Sequence, residues 1–146
     1  MGYSSMRMIS QVPIGVNLVS IEADADSAEI ARAIHQLAGV ADRITIVNDY
    51  SDKAISRLKE MFHIDSFDLI FIDHYKQFYL RDVKLLEEHG LIQSGTVLVA
   101  DNVITPGAPE YLQYIRNNPN YHSTYHQSTL EYTKDVIDGI EISTRK

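Results

Sequence analysis

The chain has 146 residues, 45% of them hydrophobic and 23% charged, which is enough for one domain with a sizeable core. Its formal net charge of −7 comes without a basic cluster and argues against a nucleic-acid partner, since such binding rests on Lys and Arg neutralising phosphates. It contains no Cys, which excludes a disulfide frame and a thiolate zinc site, and no apolar run approaches the roughly 20 residues of a membrane span.

In chain order, the pattern predicts a short helix over Ser4 to Gln11 and a strand over Val16 to Ile21 that ends at Glu22. A helix follows from Asp24 to Leu37, closed by Gly39 just past its end. Arg43 to Val47 reads as a strand, and Ser51 to Phe62 as an amphipathic helix. Phe67 to Ile72 is a strand, Tyr79 to His89 a helix stopped by Gly90, and Thr96 to Ala100 another strand. Pro109 to Arg116 is a helix opened by Pro-Gly-Ala-Pro, and the chain closes on two strands, Tyr121 to Gln127 and Val136 to Ser143. The alternation implies a doubly wound α/β sheet, mostly parallel, with a C-terminal antiparallel pair, in a single domain over 1–146.

Chemistry concentrates at two strand ends. The runs Phe67–Ile72 and Thr96–Ala100 read as strands buried on both faces, and each is followed by an aspartate: Asp73, and Asp101 beside Asn102. Ligands in such sheets bind beyond the carboxyl ends of the strands. Two carboxylates and an amide oxygen suit a hard divalent cation such as Mg2+. Lys76 supplies a neighbouring amine. Either aspartate alone could simply cap a helix or anchor a loop. Glu22, at the end of the first strand, suits a ribose hydroxyl, or it merely opens the next helix beside Asp24 and Asp26. Gly2-Tyr3-Ser4 could present backbone N–H groups to an anion, or serve as a plain cap. His122 and His126 read as edge residues, and Glu131 as a solvent-facing carboxylate.

These segments together resemble the catechol O-methyltransferase family, Mg2+-dependent S-adenosylmethionine enzymes with a Rossmann-like class I fold. The resemblance runs through Gly2-Tyr3-Ser4, Ile21-Glu22, Phe71-Ile72-Asp73-His74-Tyr75-Lys76, Gly95 to Ile104, Pro106 to Pro109, Leu130-Glu131-Tyr132 and Asp138-Gly139. It implies that Asp73, Asp101 and Asn102 hold the metal, and that Lys76 is the general base. It also implies that Glu131, with Asn102, engages the substrate diol, flanked by Tyr75 and Pro106. Ser4, Glu22, Ser51, His74 and Asp73 are implied to touch the cofactor. Tyr75 stands where the family has Trp, and Asp49-Tyr50-Ser51-Asp52 replaces a family Gly-Ala-Ser-Gln.

The resemblance further implies that the first strand and the N-terminal helices are missing, so that cofactor binding by these residues alone is weak. The expected reaction is methyl transfer from S-adenosylmethionine to a catechol hydroxyl, with a small-molecule partner, no nucleic acid, no membrane segment and a cytoplasmic address. The alternatives are an inactive fragment acting as a binding module, or an NAD-dependent oxidoreductase. The latter would share Glu22 but leaves Asp73, Asp101 and Asn102 unexplained.

Overall fold

The computed structural model describes residues 2–146, which divide into two compact units, one ending at Ala54 and the other running Ile55–Lys146. The first unit holds helix α1 (Tyr3–Ile9), strand β1 (Leu18–Glu22), helix α2 (Ala25–Leu37) and strand β2 (Ile44–Asn48). Helix α3 (Ser51–Phe62) contains the junction. β1 and β2 run parallel, Leu18 opposite Ile44 and Glu22 opposite Asn48, joined by the α2 crossover. Asp24 starts α2 from an extended conformation, its carboxylate accepting the Ser27 N–H at 2.7 Å. Ala28, Ala31, Ile44 and Val47 are buried. Gly2 has φ +71, and a Cβ there would come within 3.1 Å of the Ala31 backbone, so this position needs a glycine for both conformation and space.

The second unit carries β3 (Leu69–Ile72), α4 (Tyr79–Glu88), β4 (Val97–Ala100), α5 (Pro109–Asn117), β5 (Tyr121–Thr129) and β6 (Ile137–Arg145). Its sheet has the order β3-β4-β6-β5. β3 and β4 are parallel, whereas β6 runs antiparallel to both β4 and β5. The expected antiparallel pair is therefore present, and it is joined through β6 to the parallel pair. Among the described residues no strand pairs with the second edge of β1 or of β3, so the strands form two sheets. The core gathers Ile55, Leu58, Val83, Leu98, Val103 and Ile115, with Tyr79 and Tyr111 at 0% and 1% exposure. The two rings meet edge to face at 5.8 Å.

Several expectations shift. β1 starts at Leu18 rather than Val16, because the Val16 N–H is spent on a turn to Pro13. α1 stops at Ile9, where the Ser10 hydroxyl caps the Arg7 carbonyl at 2.7 Å. β6 runs on to Arg145, whose N–H bonds Thr96 and whose carbonyl accepts from Gly95. Burial of β3 and β4 on both faces does not hold. Leu69 is 54% exposed, and on β4 only Leu98 and Ala100 are fully buried while Val97 and Val99 are intermediate. β3 has one ladder partner and β4 two, but a ladder covers edges only; where helices cover a face incompletely, its side chains stay part-exposed.

Candidate active site

The register of β3 and β4 builds the site. Ile72 lies opposite Ala100, and the Asp101 N–H continues the ladder to the Ile72 carbonyl at 3.0 Å. Asp73 and Asp101 therefore leave adjacent strands side by side at their carboxyl ends. After Asp73 the chain bends through His74 and Tyr75 into a tight turn over Lys76–Phe78. That turn carries the Lys76 amine back over the strand end. Its Nζ donates to Asp73 Oδ1 at 3.0 Å, to Asn102 Oδ1 at 3.2 Å and to the Tyr79 hydroxyl at 2.7 Å. Tyr79 in turn donates to the Asp101 carbonyl at 3.0 Å. The lysine side chain is only 15% exposed.

Asn102 sits at φ 50 and ψ 44, a left-handed conformation that asparagine tolerates better than most residues. Its N–H bonds the Asp101 carboxylate at 2.8 Å. Its side-chain amino group donates to Asp138 Oδ2 at 2.8 Å, which leaves the amide oxygen for Lys76. Burial pushes the Asp101 carboxyl above its ordinary value; the Asn102 N–H offsets part of this, and the Asp73 charge adds to it. Burial would raise Asp138 as well, but hydrogen bonds from Asn102, Thr105, Gly139 and Ile104 outweigh it and hold that carboxyl below the usual range.

Two neighbouring carboxylates and an amide oxygen form a donor set of the kind that suits Mg2+. The residues present therefore fit the metal. The only cation now among them is the Lys76 ammonium, with all three N–H groups engaged. Among the described residues no group of three or more His, Cys, Asp or Glu is placed to hold a metal.

The other expected residues are distributed more widely. His74 Nε2 donates to the buried Asp82 at 2.8 Å, and Asp82 also receives the Arg81 guanidinium at 2.7 Å. Tyr75 is 74% exposed, its ring 6.3 Å from that of Phe78. Pro106 is exposed in the irregular turn Val103–Gly107 that follows Asn102. Glu131 is exposed in the β5–β6 connection. Thr129 pairs with Ile137, whose carbonyl accepts from Thr105 at 2.9 Å, so that connection emerges beside the Pro106 turn.

In the first unit, Ser4 is exposed on α1, and Ser51 opens α3. Glu22 Oε1 accepts the Asp24 N–H at 3.0 Å, just ahead of α2. Tyr79, Asp82 and Asp138 were not anticipated from the sequence as parts of the site. An asparagine and an aspartate 36 residues apart carry no local signal of their pairing.

Parallel strands joined by a helix, with an acidic site at their carboxyl ends, are the arrangement of a Rossmann-like α/β fold. An O-methyltransferase from Bacillus cereus solved with SAH overlays at a TM-score of 0.86 with 24% identity, over 99% of this chain and 70% of that one. The O-methyltransferase family matches residues 1–139. Catechol O-methyltransferase B of Danio rerio is 48% identical over 142 residues, 97% of this chain and 53% of that protein. Catechol O-methyltransferase of Sus scrofa is 42% identical over 145 residues, 99% of this chain and 77% of that protein. The chain belongs to the O-methyltransferase family, within its catechol O-methyltransferase branch. It spans about half the length of several curated relatives it matches, 53% for the Danio rerio protein and 51% for that of Bos taurus.

Proposed function

We propose that this chain performs Mg2+-dependent methyl transfer from S-adenosylmethionine to one hydroxyl of a catechol-type substrate. The observation that carries the reading is the Lys76 amine held at 3.0 and 3.2 Å from Asp73 and Asn102, a base candidate inside the oxygen set of a cation. Asp73, Asp101 and Asn102 would hold Mg2+. When bound, Mg2+ supplies positive charge for a developing catecholate and S-adenosylmethionine supplies the methyl group.

The chain's own residues do the rest. Lys76 must first shed a proton, then accept one from the reacting hydroxyl. Tyr79 steadies its amine, and the Tyr79 bond to the Asp101 carbonyl ties that support to the metal-ligand segment. Glu131 accepts from the second hydroxyl. Tyr75 and Pro106 flank the ring. By resemblance to the family, Ser4, Glu22 and Ser51 of the first unit, and separately His74 of the second, are the residues proposed for cofactor contacts. The partner is a small molecule and the expected address is cytoplasmic. Among the described residues no helix is long and apolar enough to cross a membrane.

The test is methyl transfer from labelled S-adenosylmethionine to catechol and to phenol, with and without Mg2+. Product from catechol alone, and only with Mg2+, is expected. Equal transfer to phenol, or transfer indifferent to Mg2+, would overturn the diol and metal assignment. Lys76→Arg keeps the charge but cannot serve as a base near neutral pH, so turnover should drop while catechol binding persists. A near-normal Arg variant would exclude Lys76 as the base.

A further inference from the structure

Asp138 lies on β6 at 1% exposure, and no step proposed above uses it. Its carboxylate is nevertheless as heavily engaged as the Lys76 amine. Oδ2 accepts the Asn102 amino group at 2.8 Å. Oδ1 accepts the backbone N–H groups of Ile104 at 3.2 Å and Thr105 at 3.0 Å. Its carbonyl accepts the Tyr125 hydroxyl at 2.8 Å, which anchors the strand beneath it.

A carboxylate has no hydrogen to give, so only the amino end of an amide can face it. The amide is planar. Turning its nitrogen toward Asp138 turns its oxygen the other way, toward Lys76. With the amide reversed, an N–H would point at an ammonium or a metal cation.

We infer that Asp138 is a positioning residue that compels Asn102 to present oxygen, rather than nitrogen, to a divalent cation. The inference rests on the Mg2+ reading of the site. The same carboxylate fixes the turn leading to Pro106 through Ile104 and Thr105, so one buried group sets both the ligand and the adjoining wall.

The test is calorimetric titration of the full chain with Mg2+. In Asp138→Asn, the N–H groups of Ile104 and Thr105 keep the new amide oxygen where Oδ1 was. Its amino group must then face Asn102, which reverses. Mg2+ affinity should fall about tenfold or more, the usual effect of losing a group that orients a metal ligand. The exchanged pair, Asn102→Asp with Asp138→Asn, restores the complement: the new carboxylate accepts from the new amide and turns its other oxygen to the site. This variant should regain at least the parent's affinity.

A purely structural role for Asp138 predicts no such recovery. Thermal melts establish that each variant folds. Parent-like Mg2+ affinity in Asp138→Asn, or a folded exchanged pair that stays weak, would overturn the inference. A parent chain that takes up no Mg2+ would remove the metal reading itself, and this inference with it.

Discussion

Tyr79 shows how much one side chain carries here. It is fully buried, its hydroxyl accepts from Lys76 and donates to the Asp101 carbonyl, and its ring stands 4.9 Å from the lysine Nζ. Tyr79→Phe keeps the ring and deletes both hydrogen bonds. The Asp101 carbonyl and the lysine each lose a partner, at a cost of about 1–2 kcal/mol in stability. Urea unfolding of the two proteins measures it; a Phe variant as stable as the parent would show that water replaces the hydroxyl without loss. Turnover should fall more than substrate affinity, because the amine loses the contact that aims it. The placement of Asp73, Asp101 and Asn102 at strand ends was legible in the sequence, since a polar residue ending an apolar run is a local signal. Tyr79 reads only as a helix-starting aromatic until the fold brings Asp101 beneath it.

Among the elements, β6 connects most of the second unit. It pairs with β4 on one side and β5 on the other, and it bears two buried carboxylates, Asp138 and Glu141. Glu141 takes a two-pronged bond from Arg116 at 2.9 and 2.7 Å, fastening α5 to the sheet. Arg116→Met strands a carboxylate that is 1% exposed. Breaking a buried pair this way typically costs about 3–5 kcal/mol, and the part-exposed guanidinium places this case near the lower end. Replacing both partners, Arg116→Met with Glu141→Leu, should recover most of that loss; chemical denaturation reads both steps. Gly139 sits between the carboxylates, and a Cβ there would fall 2.3 Å from the His126 carbonyl, so the pairing of β5 with β6 admits no side chain. Helix positions were legible from local punctuation, with Gly39 and Gly90 as stops, although Asp24 proves to cap α2 rather than to open it. The antiparallel pairing of β6 with β5 was legible too, but its pairing with β4 was not, because pairing over long sequence separations leaves no periodic trace.

Over the whole molecule, three buried phenols and the half-buried one of Tyr114 give the chain an alkaline weakness. Burial raises Tyr79, Tyr111, Tyr114 and Tyr121 above the ordinary 10.0 of a tyrosine, and bonds to the Glu87 carboxylate add to this for Tyr114 and Tyr121. Tyr114 is pushed up to about 12. The unfolded chain releases these protons near pH 10.0 while the folded chain retains them, so their contribution is complete below that pH and is lost above it, for Tyr114 by about 12 and for the other three at still higher pH. Denaturant melts should lose stability steeply in that window, together with a delayed rise in tyrosinate absorbance. A flat stability profile there would show that the phenols ionise in place. The α/β class was legible from the alternation of elements. The separation into two sheets is a matter of which edges find partners, and only the three-dimensional arrangement reports it.

The unmatched edge of β3 has a colloidal consequence. A strand with one row of N–H and C=O groups outside any ladder is a template on which another polypeptide can zip, and Leu69–Ile72 has no Lys, Pro or bulge to discourage it. Its protection is the pair of acids at its borders, Asp68 and Asp73, which act as gatekeepers through charge repulsion. Asp73 is committed to the site, so Asp68 is the one that can be removed without touching the chemistry. Asp68→Ala should make the protein scatter light at lower concentrations than the parent while leaving Mg2+ binding intact. Equal scattering thresholds would show that β3 is shielded by other means.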